Sequence, residues 1–296
     1  MRAVLALVIT WAVLVPGMVT TVQAAAARAS RVSVSYVAPK DPAYQPVYEQ
    51  LKQLRFLEKL QQFLTPFRLP RALLVKMDGC NGDANAFYEY NVITVCYEYI
   101  DQLWKTMPVE TTVAGLAPID AIVGPLFDTC LHEFGHALFD LLRVPVLGRE
   151  EDAADQVSAY IMLHFGKAEA RRLIEGVAYA YKIEVEADTV PPTMTRFADV
   201  HGTPAQRFYN VLCIAYGADA QLFRDMVEKG YLPKERAEDC KGEYQQVADA
   251  YEKLIGSHVD RSRAKNVFDK SWLPDATTRV PRRPASPQLK PQATTP

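Results

Sequence analysis

The stretch His132-Glu133-Phe134-Gly135-His136, followed after a short connection by Glu150-Glu151-Asp152-Ala153-Ala154-Asp155, decides how this chain is read. His132 and His136 are four residues apart in the second half of an apolar segment, Pro118–Leu142. On a helix that spacing sets both imidazoles on one face, about a turn apart, so both can reach one ion. Glu133 is rotated about 100° from His132. It can stand beside an ion without ligating it, where a general base would take a proton from an attacking water. The pattern is the HExxH signature of zinc peptidases. The bland alternative is two surface histidines on a helix.

A catalytic zinc takes three protein ligands and leaves a fourth position open. The acidic run supplies the candidate for the third. Glu151 and Asp155 are four apart and share a helix face, whereas Glu150 has Ala154 one turn on and Asp152 has Gln156. Only the Glu151 register puts a second carboxylate on the same face. There Asp155 would accept the free N–H of a ligand imidazole and fix its tautomer. Ala153 and Ala154 keep this helix slim for close packing on the first. The acids also suit a helix N-terminus, stabilised by its dipole, and Glu150 and Asp152 are expected to serve that end.

Around this centre the pattern reads as strands first and helices after, an α+β architecture. Val32–Val37, Ala72–Met77, Phe87–Tyr90 and Val92–Cys96 read as strands, the last two as a hairpin about Asn91. Tyr44–Leu64 has apolar residues at helical spacing and reads as one amphipathic helix. Pro118–Leu142 is expected to kink or restart at Gly124-Pro125. Further helices are expected over Glu150–Phe165, Ala168–Lys182, Pro204–Tyr216, Ala218–Lys229 and Pro233–Ile255.

The two ends read differently from the middle. Met1–Ala24 has a basic Arg2, an apolar run Ala3–Val15 broken only by Thr10, and small residues Val22 and Ala24 before a cleavage point. It reads as a secretory signal (1–24). An uncleaved anchor is the alternative, but the run is short for a bilayer span. Ser271–Pro296 holds six of the 20 prolines, four basic residues and one acidic residue, and reads as a disordered tail. The folded unit is expected over 25–270. The whole chain of 296 residues carries a formal net charge of −2, and the folded unit is more acidic once its basic tail is set aside. That excludes the basic field of a nucleic-acid binder. The five cysteines form no CxxC pair. In an oxidising compartment Cys80–Cys96 across the hairpin and Cys213–Cys240 between helices are the expected disulfides, with Cys130 a buried thiol.

HEFGH followed by EDAAD is similar to the gluzincin arrangement. More closely, the run from His132 to Gln156, with Asn85–Tyr99 before it and Gln206–Gly217 after it, resembles a bacterial family of exported metallopeptidase-like proteins of unknown function. The resemblance covers residues 40–255. It implies a zincin-like fold and a zinc ion, with His132, His136 and Glu151 as ligands and Glu133 as base. It implies peptidase activity on a peptide or protein substrate by analogy. In zincins the strand before the active-site helix forms an edge that pairs with extended substrate, which would be Val92–Cys96 here. An oxyanion donor is also needed. His201, Arg207 and Tyr209 are candidates, His201 the sharpest.

The expected protein is therefore an exported, periplasmic or secreted, zinc-dependent peptidase with no stable membrane span after signal cleavage. Two alternatives stand beside it. One is an exported zincin-fold module that holds zinc and binds a partner without cleaving it. The other is a structural zinc closed by a fourth protein ligand.

Overall fold

The computed structural model describes residues 31–187 and 194–278. The expected signal, 1–24, and most of the expected tail lie outside them. A four-stranded sheet comes first: β1 (Val32–Tyr36), β2 (Leu73–Asp78), β3 (Ala86–Glu89) and β4 (Val92–Cys96), in the order β1-β2-β4-β3. β1 and β2 pair in parallel, as do β2 and β4, and β3 runs antiparallel to β4. The α+β reading holds: this small sheet precedes a mainly helical remainder.

β4 is thus an interior strand, not the expected edge. The reason is legible in its burial. Ile93, Thr94, Val95 and Cys96 are all buried, as in a strand covered on both faces. The edge on that side is β3, where half-buried and exposed positions alternate and Phe87 is open to water. The turn between β3 and β4 needs two left-handed residues, and Tyr90 and Asn91 supply them at φ 49° and 65°.

Two helices, α1 (Gln45–Gln53) and α2 (Phe56–Leu64), replace the single helix expected over 44–64. Arg55 breaks the run in a left-handed conformation, φ 52°. The break turns the start of α2 toward β1, where the Tyr36 hydroxyl accepts from the Leu57 N–H at 2.7 Å and donates to Glu58 at 3.0 Å. A helix the sequence reading missed, α3 (Tyr97–Thr106), follows β4 without a loop.

α4 (Asp120–Leu142) carries the histidines and runs unbroken through Pro125. It is buried on almost all sides. α5 (Glu150–Met162) and α6 (Lys167–Ala187) pack on it, followed by α7 (Met194–Phe197), α8 (Pro204–Ala218), α9 (Arg224–Glu228), α10 (Lys234–Leu254) and α11 (Arg261–Phe268). α9 is far shorter than the helix expected over 218–229, and α11 was not expected. The α4–α6 crossing rests on two facing glycines. A methyl on Gly124 would stand 2.8 Å from Gly176 Cα, and one on Gly176 would overlap the Asp120 carbonyl. The folded part also runs past residue 270. Trp272 Nε1–H donates to the Val267 carbonyl at 2.7 Å, its ring meets Phe63 edge-on, and Arg172 donates to the Pro274 carbonyl. Trp272 is an aromatic with a core to join, which its proline-rich surroundings concealed.

Both expected disulfides are formed, Cys80–Cys96 and Cys213–Cys240, and Cys130 is a buried free thiol. Two disulfides fit an oxidising environment. Among the described residues no helix is long and apolar enough to cross a membrane.

Candidate metal centre

α4 and α5 approach closely because small residues face each other. A methyl on Gly135 would lie 3.2 Å from Ala154 Cα, tighter than ordinary contact. This brings Glu151 onto the histidine face. His132 Nε2 stands 3.0 Å from Glu151 Oε2, His136 Nε2 stands 3.2 Å from the same oxygen, and the two Nε2 atoms are 3.2 Å apart.

The opposite ring nitrogens meet carboxylates. His132 Nδ1 lies 2.7 Å from Asp155 Oδ1, and His136 Nδ1 lies 2.8 Å from Glu150 Oε1. A carboxylate there accepts, so each imidazole carries its proton on Nδ1 and turns the Nε2 lone pair inward. Two lone pairs and a carboxylate oxygen then converge on one point. Such a set needs a cation or extra protons at its middle. Burial pulls the His132 imidazole down, but Asp155 and Glu151 outweigh it and lift it to about 10 in the protein alone. The donor set fits a first-row metal. Ligands bound tetrahedrally at 2.0–2.1 Å would stand about 3.3 Å apart, close to the spacing here.

The support behind His132 is deep. Arg207 donates to Asp155 through Nε at 2.8 Å and Nη2 at 2.6 Å, and its guanidinium lies over the Tyr181 ring. Burial alone would raise the Asp155 carboxyl. His132 and Arg207 outweigh it and hold Asp155 well below the usual carboxylate range. Arg207 is therefore committed to Asp155 and is not a free oxyanion donor. Tyr209 faces a different surface, beside Arg149 and Arg236. His201 does reach the centre. Its Nε2 is 2.8 Å from Glu151 Oε2 and its ring stacks near His132, with Asp199 on its Nδ1 side at 3.3 Å.

Glu133 is buried beside the donors without touching them. Desolvation raises its carboxyl, and His132 and His136 partly offset that. His132, His136, Glu151, Glu133, Glu150, His201 and Arg207 line one cleft of about 590 Å³, with β3 on one side and α6 on the other. Asn85 and Tyr88 line it too. The Tyr88 hydroxyl donates to Asp140 at 2.6 Å and so ties β3 to the end of α4. Three residues escaped the sequence reading: Glu150 as the partner of His136, Asp128 one turn before His132, and Tyr181 under Arg207. The four-residue spacing of Asp128 from His132 was a usable signal.

Residues 36–255 match a family model described as "Putative metallopeptidase". The chain belongs to that family. The match spans β2, β3 and β4, both motif helices and the helices through α10, so the whole cleft falls inside it. As a family member the chain is a hydrolase by description, with a metal and peptide substrates implied. No curated protein and no solved structure matches it.

Proposed function

We propose that the protein is an exported zinc-dependent peptidase with His132, His136 and Glu151 as ligands and Glu133 as general base. The observation that carries this is the convergence of two Nε2 lone pairs and the Glu151 carboxylate on one point, open to a cleft. A bound zinc would polarise the scissile carbonyl and acidify the attacking water. Glu133 takes the water's proton and later delivers it to the leaving amine. Its raised affinity for protons suits both halves of that task. Asp155, clamped by Arg207, keeps His132 in the tautomer that presents Nε2. His201 supplies the donor for the developing oxyanion, its Nε2 standing beside the Glu151 carboxylate at the centre.

The sheet edge in the cleft is β3, so extended substrate would lie along Ala86–Glu89. Export rests on the sequence of Met1–Ala24 and on the two disulfides. The test is incubation of the purified, zinc-loaded chain with a diverse peptide pool, with and without chelator. Chelator-sensitive cleavage supports the proposal. Zinc retention without any cleavage favours the non-catalytic binding module. A fourth protein ligand found by metal spectroscopy would favour a structural zinc.

A further inference from the structure

Beyond Glu133 the cleft continues into a lobe between α4 and α6. Its walls include Tyr99, Asp128, Thr129, Val177, Tyr181 and Glu184. The α4 contribution follows from spacing. Asp128 is four residues before His132, on the same stripe as the histidines. On α6, Val177, Ala180, Tyr181 and Glu184 recur at helical spacing and present one face to the lobe. The walls are largely apolar or aromatic, and two carboxylates stand in them.

Neither carboxylate has a cationic partner in contact among the described residues. Asp128 is 8% exposed, and one of its oxygens accepts from the Ser158 hydroxyl at 2.6 Å. The other oxygen accepts no hydrogen bond among the described residues. Glu184, at the opposite wall, makes no hydrogen bond or ion pair among the described residues. Arg207 is near both but holds Asp155 with two bonds. The cleft as a whole is lined by five carboxylates, from Asp128, Glu133, Glu150, Glu151 and Glu184, against one guanidinium. A divalent ion would leave it negative. Asp128 is an enclosed carboxylate without a counter-charge, which costs free energy that a cationic occupant restores, and Glu184 stands at the open side of the lobe. Desolvation raises the carboxyls of both, Asp128 to about 6, as expected of anions that lack a partner.

We infer that this lobe is a specificity subsite for a basic side chain of the substrate, the lysine or arginine next to the bond to be hydrolysed. Its stem lies along Val177 and the tyrosines, and its charged head meets Asp128 and Glu184. Amphipathic basic side chains suit such a site, with an apolar wall and an anionic end. The inference rests on the metal centre proposed above, which fixes where the substrate backbone lies.

The test is a binding experiment that needs no turnover. Nα-acetyl-lysine hydroxamate and Nα-acetyl-norleucine hydroxamate differ only by the terminal ammonium. Both are titrated calorimetrically into the zinc-loaded full chain. The lysine compound is expected to bind about tenfold tighter, the worth of one charge-assisted hydrogen bond. Glu184→Gln, at a solvent-accessible position, brings the ratio toward one without changing bound zinc or norleucine affinity. Asp128→Asn acts in the same direction. Equal affinities in the unaltered chain overturn the subsite and leave the metal centre standing, as does a lysine preference that survives both variants. If neither compound binds while zinc is retained, the subsite is also overturned. If no zinc is retained and neither binds, both readings fall.

Discussion

His132 and His136 sit one turn apart on α4, yet what stands behind them differs. Behind His132, the Asp155 side chain is 20% exposed and gripped by both arms of Arg207. Behind His136, the Glu150 side chain is 54% exposed and no other group among the described residues holds it. The first support is preorganised in a low-dielectric setting, where a charge pair is worth most. The second is a surface pair whose value is screened by water and salt. One imidazole is thus fixed by the fold and the other is adjustable. An open site with a fourth position for substrate can use both properties.

This asymmetry can be broken by substitution. The largest effect is expected for His132→Ala, which removes a proposed ligand and strands Asp155 and Arg207. Metal analysis after dialysis should find almost no bound zinc. Asp155→Asn comes next, with zinc affinity weakened about 10- to 100-fold in a competition assay against a chromogenic chelator. Gly135→Ala should follow, because its methyl presses on Ala154 and pushes α5 away. A loss of about 1–3 kcal/mol is expected in urea unfolding. Glu150→Gln should be mildest, a change of at most about fivefold in zinc affinity, since exposed pairs contribute about 0–1 kcal/mol. Equal losses for Asp155→Asn and Glu150→Gln would erase the distinction between the two sides.

Periodicity made the centre legible because metal ligation and helix geometry obey the same spacing. His132 with His136, and Glu151 with Asp155, share a helix face as their four-residue intervals imply, and those two faces meet. The pairing Cys80–Cys96 was legible for a similar reason, since a hairpin brings its flanks together. What escaped depended on tertiary contact. Val92–Cys96 became an interior strand because β2 pairs in parallel along the side the hairpin leaves open, which no local pattern announces. The helix break at Arg55 answers the Tyr36 hydroxyl, which lies 19 residues earlier in the chain. Arg207 looked like a free donor until α8 delivered it to Asp155. Trp272 was hidden in a proline-rich stretch, although its ring completes the aromatic cluster around Phe63.

The most direct test of the central claim is Glu133→Gln, measured for zinc content and peptide hydrolysis on one preparation. One equivalent of zinc retained with hydrolysis lost is the predicted result. Full hydrolysis by that variant would contradict the assignment of Glu133 as the base.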